Sequence, residues 1–393
     1  MADQTDPRDQ QRIDEIRAVA AQVAAERYAD RAAEWDAGRV PFPHEERRYL
    51  AKLGYLGIAL PERFGGAGAP IGDALAVIEE LAKVCRPAAF QVFEANVGAA
   101  QAINRLGTEE QRARHLPAVI AGEATMAVAI SEPDAGSAAT DLATRAVPAD
   151  GGGYKVTGSK RWISGGGEAE LYLVYTRMSD APKSKGIGAV IIAADAPGVS
   201  FGAQEKLMGF RGIPSADIAF DGVAVAAEDV LVGPGRFRDL FGCFSIERLG
   251  NTTMSLAIGQ AALDRTVDYV RERRQFGRPI ADFQAVQLAL ADMLMQVTSA
   301  RLLLDQAVQG ADEGPPDALK VSLAKCAANE MAKRVTDQAI QLHGGNGYTE
   351  EYGLERLHRD AHGWAIAGGT PTIQRIRIAS QLLGRTFDQR RPA

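Results

Sequence analysis

The chain has 393 residues, 46% of them hydrophobic and 24% charged, an ordinary globular balance with room for two or three domains or one large composite. A net charge of −6 argues against general affinity for nucleic acid. The opening MADQTDPRDQ has no apolar stretch of the signal-peptide kind, and no apolar run is long enough for a membrane span, so a cytoplasmic protein with no membrane association is expected. Cys85, Cys243 and Cys326 lie far apart. They have no metal-ligand spacing, so no metal is expected, and they fit a reduced compartment.

In chain order, residues 9–37 read as a helix, with Ile13, Ile16, Val19, Ala20 and Val23 at helical spacing. A second helix covers about 44–53 and stops at Gly54. PERFGGAGAP (61–70) lacks both a preceding strand and GxGxxG spacing, so it reads as a connector. Helices follow over 72–85, 88–106 and 108–121, the last opened by a Thr108–Gln111 capping box. The composition changes near residue 124. TMAVAIS, YKVTGSKRWISGG, AELYLVYTRM, IGAVIIAAD, VSFGAQEKL, ADIAFDGVAV and DVLVG are β-rich segments parted by Gly, Pro and Asp. Long helices return from Phe237 over 239–273, 281–310, 316–343 and 371–383, with Thr370 and Pro371 as N-cap and first helical residue of the last one and Gly384 behind it. The expected class is α+β, with domains at 1–123 (helical), 124–236 (β) and 237–393 (helical).

Several stretches carry chemistry. ISEPDAGS (130–137) offers Ser131, Ser137 and turn amides at a strand end, and is compatible with either a ligand loop or a plain Pro-Asp turn. RWISGGG (161–167) places Trp162, Ser164 and three glycines in the order a flat cofactor needs: a ring to pack on, a hydroxyl for its edge, and backbone that approaches closely. RERRQFGR (271–278) has four arginines and no lysine, which suits bidentate phosphate recognition as well as a solvated face. LHGGNGY (342–348) follows a helix, and its glycines would let backbone N–H groups approach a pyrophosphate or would simply cap that helix.

Taken together, SEPDAGS, RWISGG, ERRQFGRPIADFQAVQ, GGNGY and RDA…GGTPTIQR resemble the acyl-CoA dehydrogenase family over nearly the whole chain. The resemblance implies an N-terminal helical domain, a central β-barrel-like domain and a C-terminal four-helix domain. It also implies bound FAD and a homotetramer built as a dimer of dimers. It puts Ser131 at the flavin pyrimidine edge, Trp162 and Ser164 beside the isoalloxazine with the hydroxyl facing N5, and Thr370 near FAD. Ser137 joins this cofactor set. Arg273, Phe276 and Gln284, with Gln341, Gly344 and Gly345, match positions that reach the FAD of a neighbouring subunit.

The chain departs from the family pattern at two places, one of them Thr372, where a Glu or Gln is usual, behind an uncommon Pro371; the other concerns the catalytic base. Many members carry their catalytic glutamate two residues before the threonine, where this chain has Gly368 in IAGGTPTIQR. A smaller branch, isovaleryl-CoA and long-chain acyl-CoA dehydrogenases among them, places the base on a neighbouring helix, at the position of Glu247 in SIERL. The resemblance therefore implies Glu247 as α-proton base, the Gly368 amide as a donor to the thioester oxygen, and flavin N5 as hydride acceptor. Arg248, Arg301 and Ala367 are implied on the substrate side, and electron-transferring flavoprotein as the external acceptor. The Ala367–Gly369 run removes side-chain bulk near the implied acyl pocket, which is compatible either with a branched or ring-bearing acyl group or with filling by side chains from elsewhere. Other chemistries on the same fold are an acyl-CoA desulfinase, a carrier-protein-thioester dehydrogenase and a flavin monooxygenase. A non-catalytic flavin-binding or partner subunit is a further alternative.

Overall fold

A computed structural model describes residues 7–150, 152–387 and 389. Most of the opening MADQTDPRDQ segment and the chain end at Ala393 lie outside the described residues. The chain divides into two compact units, Met1–Leu81 with Cys85–Glu247, and Ala82–Val84 with Arg248–Ala393.

The first unit begins with helices. α1 (Pro7–Val23) runs into a short π-helical turn, Ala24–Tyr28, before α2 (Arg31–Gly38). The single helix expected over 9–37 is therefore interrupted. α3 (His44–Lys52) ends where Gly54 adopts φ 78°. α4 (Ile71–Val84) is followed by α5 (Arg86–Asn96) and α6 (Ala99–Leu106), which share the expected 88–106 segment. They part at Val97–Gly98, where Gly98 leaves helical geometry at φ −89°, ψ −139°. In α7 (Glu109–Ile120) both halves of the Thr108–Gln111 capping box form, and the Gln111 amide also donates to the carbonyls of Glu228 and Val230.

The β-strands are β1 (Met126–Ala129), β2 (Arg145–Pro148), β3 (Tyr154–Ser164), β4 (Leu171–Arg177), β5 (Ile187–Ala193), β6 (Val199–Phe201), β7 (Ser215–Val225) and β8 (Val230–Val232). Their order is β6-β7-β3-β2-β4-β5-β8, with β1 parallel to β4. β4 is buried along its whole middle, as a strand covered on both faces must be. Val156, Ile163, Tyr172, Val190, Ile218 and Phe220 share its core. The β3–β7 ladder slips between Lys160 and Ile163, and that bulge turns Trp162 out of the sheet.

α8 (Phe237–Glu272) carries residues of both units. Residues 248–259 are buried throughout, and the Thr252 and Thr253 hydroxyls return to the helix's own carbonyls, which satisfies them without outside partners. The second unit continues with the hairpin β9 (Arg274–Gln275) and β10 (Arg278–Pro279), then α9 (Gln284–Val308), α10 (Ala318–His343), α11 (Leu354–Ile366) and α12 (Pro371–Leu382). α10 packs against α9, α11 and α12. Thr370 caps α12 by accepting from Ile373 N at 3.4 Å. α11 adds a helix to the four expected from the sequence, and β2 a strand.

Candidate active site

In the first unit the ISEPDAGS loop is built on one ion pair. Glu132 is 7% exposed and Lys160, on β3, is fully buried. Lys160 Nζ donates to Glu132 Oε1 at 2.8 Å and to the Ile130 carbonyl at 3.0 Å. Glu132 also accepts from the amides of Ala143 at 2.5 Å and Thr144 at 3.0 Å. Burial alone would raise the Glu132 carboxyl, but the charge of Lys160 and the amide bonds outweigh it and hold it below its ordinary range. Loop and strand are thereby locked together, and Arg161 N donates to Ser131 O at 2.8 Å. Ser131 is half-buried beside this clamp, and Ser137 is exposed further along the loop.

Trp162 follows at φ 62° and is 52% exposed. A bulky residue in the left-handed region is strained and needs support. Here the Arg161 guanidinium lies 4.4 Å from the indole centroid. The glycine turn after Ser164 is fixed by Tyr172, whose hydroxyl donates to Gly165 O at 3.0 Å and accepts from Gly167 N at 2.9 Å. Gln204 donates to Gly166 O and accepts from Ser215 N.

A cleft in the same unit is lined by Ser164, Gly165, Thr125 and Met126 on the sheet side, and by Phe90 and Glu94 of α5. Glu94 Oε2 is enclosed and has no hydrogen-bond partner within the chain. Burial first, and the charge of Glu247 second, push the Glu94 carboxyl well above its ordinary range. Glu247 is therefore an electrostatic neighbour of a residue that shares a cleft with Ser164.

In the second unit Arg248 is 3% exposed and donates from Nε to Gly368 O at 3.0 Å. Asn251 Nδ2 donates to Ala367 O at 3.2 Å and to Trp364 O at 3.0 Å. Asn251 in turn accepts from Asn329, which accepts from the fully buried Lys325 at 2.7 Å. Gly368 and Gly369 adopt φ 68° and 94°. A Cβ on Gly368 would lie 3.3 Å from Lys325 Cε. The left-handed backbone thus disfavours a glutamate there, and the half-buried Ala367 and Thr370 flank the turn.

Arg273, Phe276 and Gln284 are exposed around the β9–β10 hairpin. Phe276, at φ 51°, is 92% exposed and meets Phe283 edge-on at 6.0 Å. Gln341, Gly344 and Gly345 are exposed at the end of α10, and Gly344 N closes that helix on the carbonyls of Gln341 and Ile340. Tyr269 stacks on His343 at 4.0 Å and accepts from Asn346 Nδ2 at 3.0 Å, pinning the loop to α8. Arg301 stands half-buried on α9, apart from these groups in the sequence. Glu94, Glu132, Lys160 and Asn251 were missed in the sequence reading. The visible signal was a lone Glu in the apolar AFQVFEANV run and a Lys inside a strand.

Family profiles match almost the whole chain: "Acyl-CoA dehydrogenase, N-terminal domain" over residues 10–123, "middle domain" over 127–223 and "C-terminal domain" over 237–383. The 3-sulfinopropanoyl-CoA desulfinase of Paraburkholderia xenovorans is 39% identical over 384 residues, covering 96% of this chain and 98% of that one. The acryloyl-CoA reductase (NADH) of Anaerotignum propionicum is 35% identical over 346 residues, covering 88% of each. The structure of butyryl-CoA dehydrogenase from Megasphaera elsdenii superposes with a TM-score of 0.92 at 31% identity, over 98% of this chain and 100% of that one. The fold is that of a flavoenzyme with helical, β and helical domains in sequence. This chain belongs to the acyl-CoA dehydrogenase family.

It is accordingly an enzyme of the group acting on acyl-CoA, and FAD is its cofactor. The residues present fit that group. Trp162 exposes half its surface beside a tightly tied glycine turn, and the arginine-rich hairpin and glycine loop of the second unit expose backbone and guanidinium groups suited to a ring and a pyrophosphate. Among the described residues, no helix is long and apolar enough to cross a membrane.

Proposed function

We propose that this chain carries out α,β-dehydrogenation of an acyl-CoA thioester to the 2,3-enoyl-CoA, with Glu247 as the α-proton base. What supports the reading is that the charge of Glu247 acts on Glu94, a residue of the cleft that Ser164 also lines. An α-proton of a thioester is weakly acidic, so its removal needs a carboxylate held out of bulk water and donors aimed at the developing oxyanion. Glu247 is the carboxylate. The Gly368 N–H is the donor, and it belongs to the peptide unit whose carbonyl, Ala367 O, accepts from Asn251. Asn251 thereby sets the direction of that N–H, while Arg248 holds the next carbonyl. When bound, FAD supplies the acceptor for the β-hydrogen as hydride. Ser131, Ser137, Trp162, Ser164 and Thr370 hold and orient it. In a homotetramer, Arg273, Phe276, Gln284, Gln341, Gly344 and Gly345 reach the cofactor of a neighbouring copy. Arg301 meets a CoA phosphate, Ala367 borders the acyl chain, and electron-transferring flavoprotein takes the electrons away.

The similarity to a 3-sulfinopropanoyl-CoA desulfinase favours one competing reading, hydrolytic loss of the sulfino group as sulfite, with water supplying the added oxygen and the proton that replaces sulfur on carbon and no net electron transfer to the flavin. Anaerobic mixing of the FAD-loaded protein with short, branched and aromatic acyl-CoAs, and with 3-sulfinopropanoyl-CoA, separates the two. Dehydrogenation bleaches the flavin and yields a thioester lighter by two hydrogens. Sulfite release from the sulfino thioester, with the flavin still yellow and no acyl-CoA oxidised, would replace the proposal with desulfination.

A further inference from the structure

Behind the Gly368 turn lies a run of buried amides that ends on a buried charge. Gly368 is half-buried, and no acceptor among the described residues meets its N–H. On the other side of the same peptide bond, Ala367 O accepts from Asn251 Nδ2 at 3.2 Å. That bond is trans, so its C=O and N–H point in opposite directions. Asn251 Oδ1 accepts from Asn329 Nδ2 at 3.1 Å, and Asn329 Oδ1 accepts from Lys325 Nζ at 2.7 Å. Asn329 Nδ2 also donates to Ser255 Oγ at 2.7 Å. Lys325, Asn329 and Ser255 are fully buried, and Asn251 is 2% exposed. The direction of this chain is fixed from both ends, because an ammonium can only donate and a backbone carbonyl can only accept. Lys325 turns the Asn329 oxygen toward itself. The carbonyls of Trp364 and Ala367 turn the Asn251 nitrogen toward the glycine turn. The two amides then meet donor to acceptor, and every bond runs the same way, from Lys325 to the Gly368 N–H. Hydrogen bonds aligned in series in a low-dielectric interior polarise one another, so a positive charge at the donating end makes the last N–H a stronger donor.

We propose that Lys325 and Asn329 are positioning residues, which aim and polarise the Gly368 N–H through Asn251 toward a thioester oxygen. The inference rests on the acyl-thioester reading above, which gives that N–H its acceptor, and adds the groups that act through it. A donor stabilises a developing oxyanion best when it is held in place before the charge appears. Here the holding group, Asn251, is itself held by Asn329, and Asn329 by Lys325.

The test is the thioester carbonyl stretch of an enoyl-CoA bound to the FAD-loaded full-length protein, read by infrared difference spectroscopy. The probes are crotonyl-CoA and its longer, branched and aromatic counterparts, each isotopically labelled at the carbonyl carbon. An enoyl thioester does not reduce the flavin, so the band reports the hydrogen bond without turnover. In the wild type it should lie below the band of the free thioester. Lys325→Met keeps the bulk of the side chain and removes its charge. The band should then move back toward the free position, and flavin reduction by the responding acyl-CoA should slow about tenfold at unchanged affinity. That is part of the about 10²–10³-fold loss expected when a whole oxyanion donor is removed. Asn329→Leu cuts the same path with the lysine in place and should produce both changes. The double variant should add nothing further, because both substitutions act on one path. Ser255→Ala removes a bond that lies off the path and should leave the band unmoved, even where it lowers the unfolding midpoint. A wild-type band at the free position, or one that Lys325→Met leaves in place, would overturn the proposal. So would additive losses in the double variant, which would mean that the lysine acts through space. A band that responds as expected, with no acyl-CoA bleaching the flavin, would sink the dehydrogenase reading and leave this one standing. Bleaching with an unmoved band would do the reverse, and if no enoyl-CoA binds, both fall.

Discussion

Two carboxyls of the first unit, the buried Glu132 and the half-buried Glu94, face opposite circumstances. Glu132 has a buried lysine and two backbone amides, and its carboxyl is pulled down. Glu94 has an enclosed oxygen with no partner and a like charge nearby, and its carboxyl is pushed up. The first arrangement is a structural clamp. It spends its charges on fixing the loop that carries Ser131 against the strand that carries Trp162. The second has no hydrogen-bond partner within the chain for its enclosed oxygen. Burial of a charge-bearing group is therefore not by itself a sign of function; what its polar atoms meet decides the matter.

Removing the lysine would turn the first case into the second. Lys160→Met leaves Glu132 buried with only its amide donors, and breaking a buried pair from one side costs about 3–5 kcal/mol. Urea denaturation should show that loss, together with weaker FAD retention as the Ser131 loop loosens. Near-wild-type stability would mean that the pair is not a clamp.

Gly368→Glu probes the second unit. Transplanting the usual family carboxylate onto a φ of 68° beside Lys325 is expected to cost about 1–2 kcal/mol. It should not restore activity to a Glu247→Gln background. Full rescue would show that the loop accepts the base after all.

The two carboxyls also separate in pH. The folded-state value of Glu132 is depressed, so its contribution is present above the ordinary carboxylate range and is lost as pH falls through the folded value. Glu94 has a raised folded value. Its ionisation therefore opposes folding increasingly as pH climbs above the ordinary carboxylate range. Glu94→Gln should accordingly raise the unfolding midpoint at neutral pH, with the gain shrinking toward acid. A gain of equal size at all pH values would contradict the assignment. This is the smallest of the three effects and the one that most sharpens the contrast with Glu132.

Local rules were legible in the sequence. The Thr108–Gln111 capping box, the Thr370–Pro371 start and the β-rich centre depend on neighbours a few residues away, and each appears in the structure. What escaped depends on distant partners. The break at Gly98 is hidden in a run that otherwise looks helical. α11 lies behind the glycine-rich loop, in a stretch whose apolar and charged residues were read only as motif. Glu132 and Lys160 sit 28 positions apart, and nothing in either segment announces the pairing. Glu94 acquires meaning only when α5 is seen against the glycine turn after Ser164. RWISGGG stands out in the sequence because its aromatic, hydroxyl and glycines are consecutive or nearly so.

The central claim is that Glu247 takes the α-proton. Its most direct test is the rate of anaerobic flavin reduction by the responding acyl-CoA, measured by stopped flow for wild type and Glu247→Gln at equal FAD content. Loss of a positioned general base should slow that step by about 10²–10⁴-fold while the variant still holds FAD and binds the thioester. A variant that bleaches as fast as wild type would show that another group takes the proton.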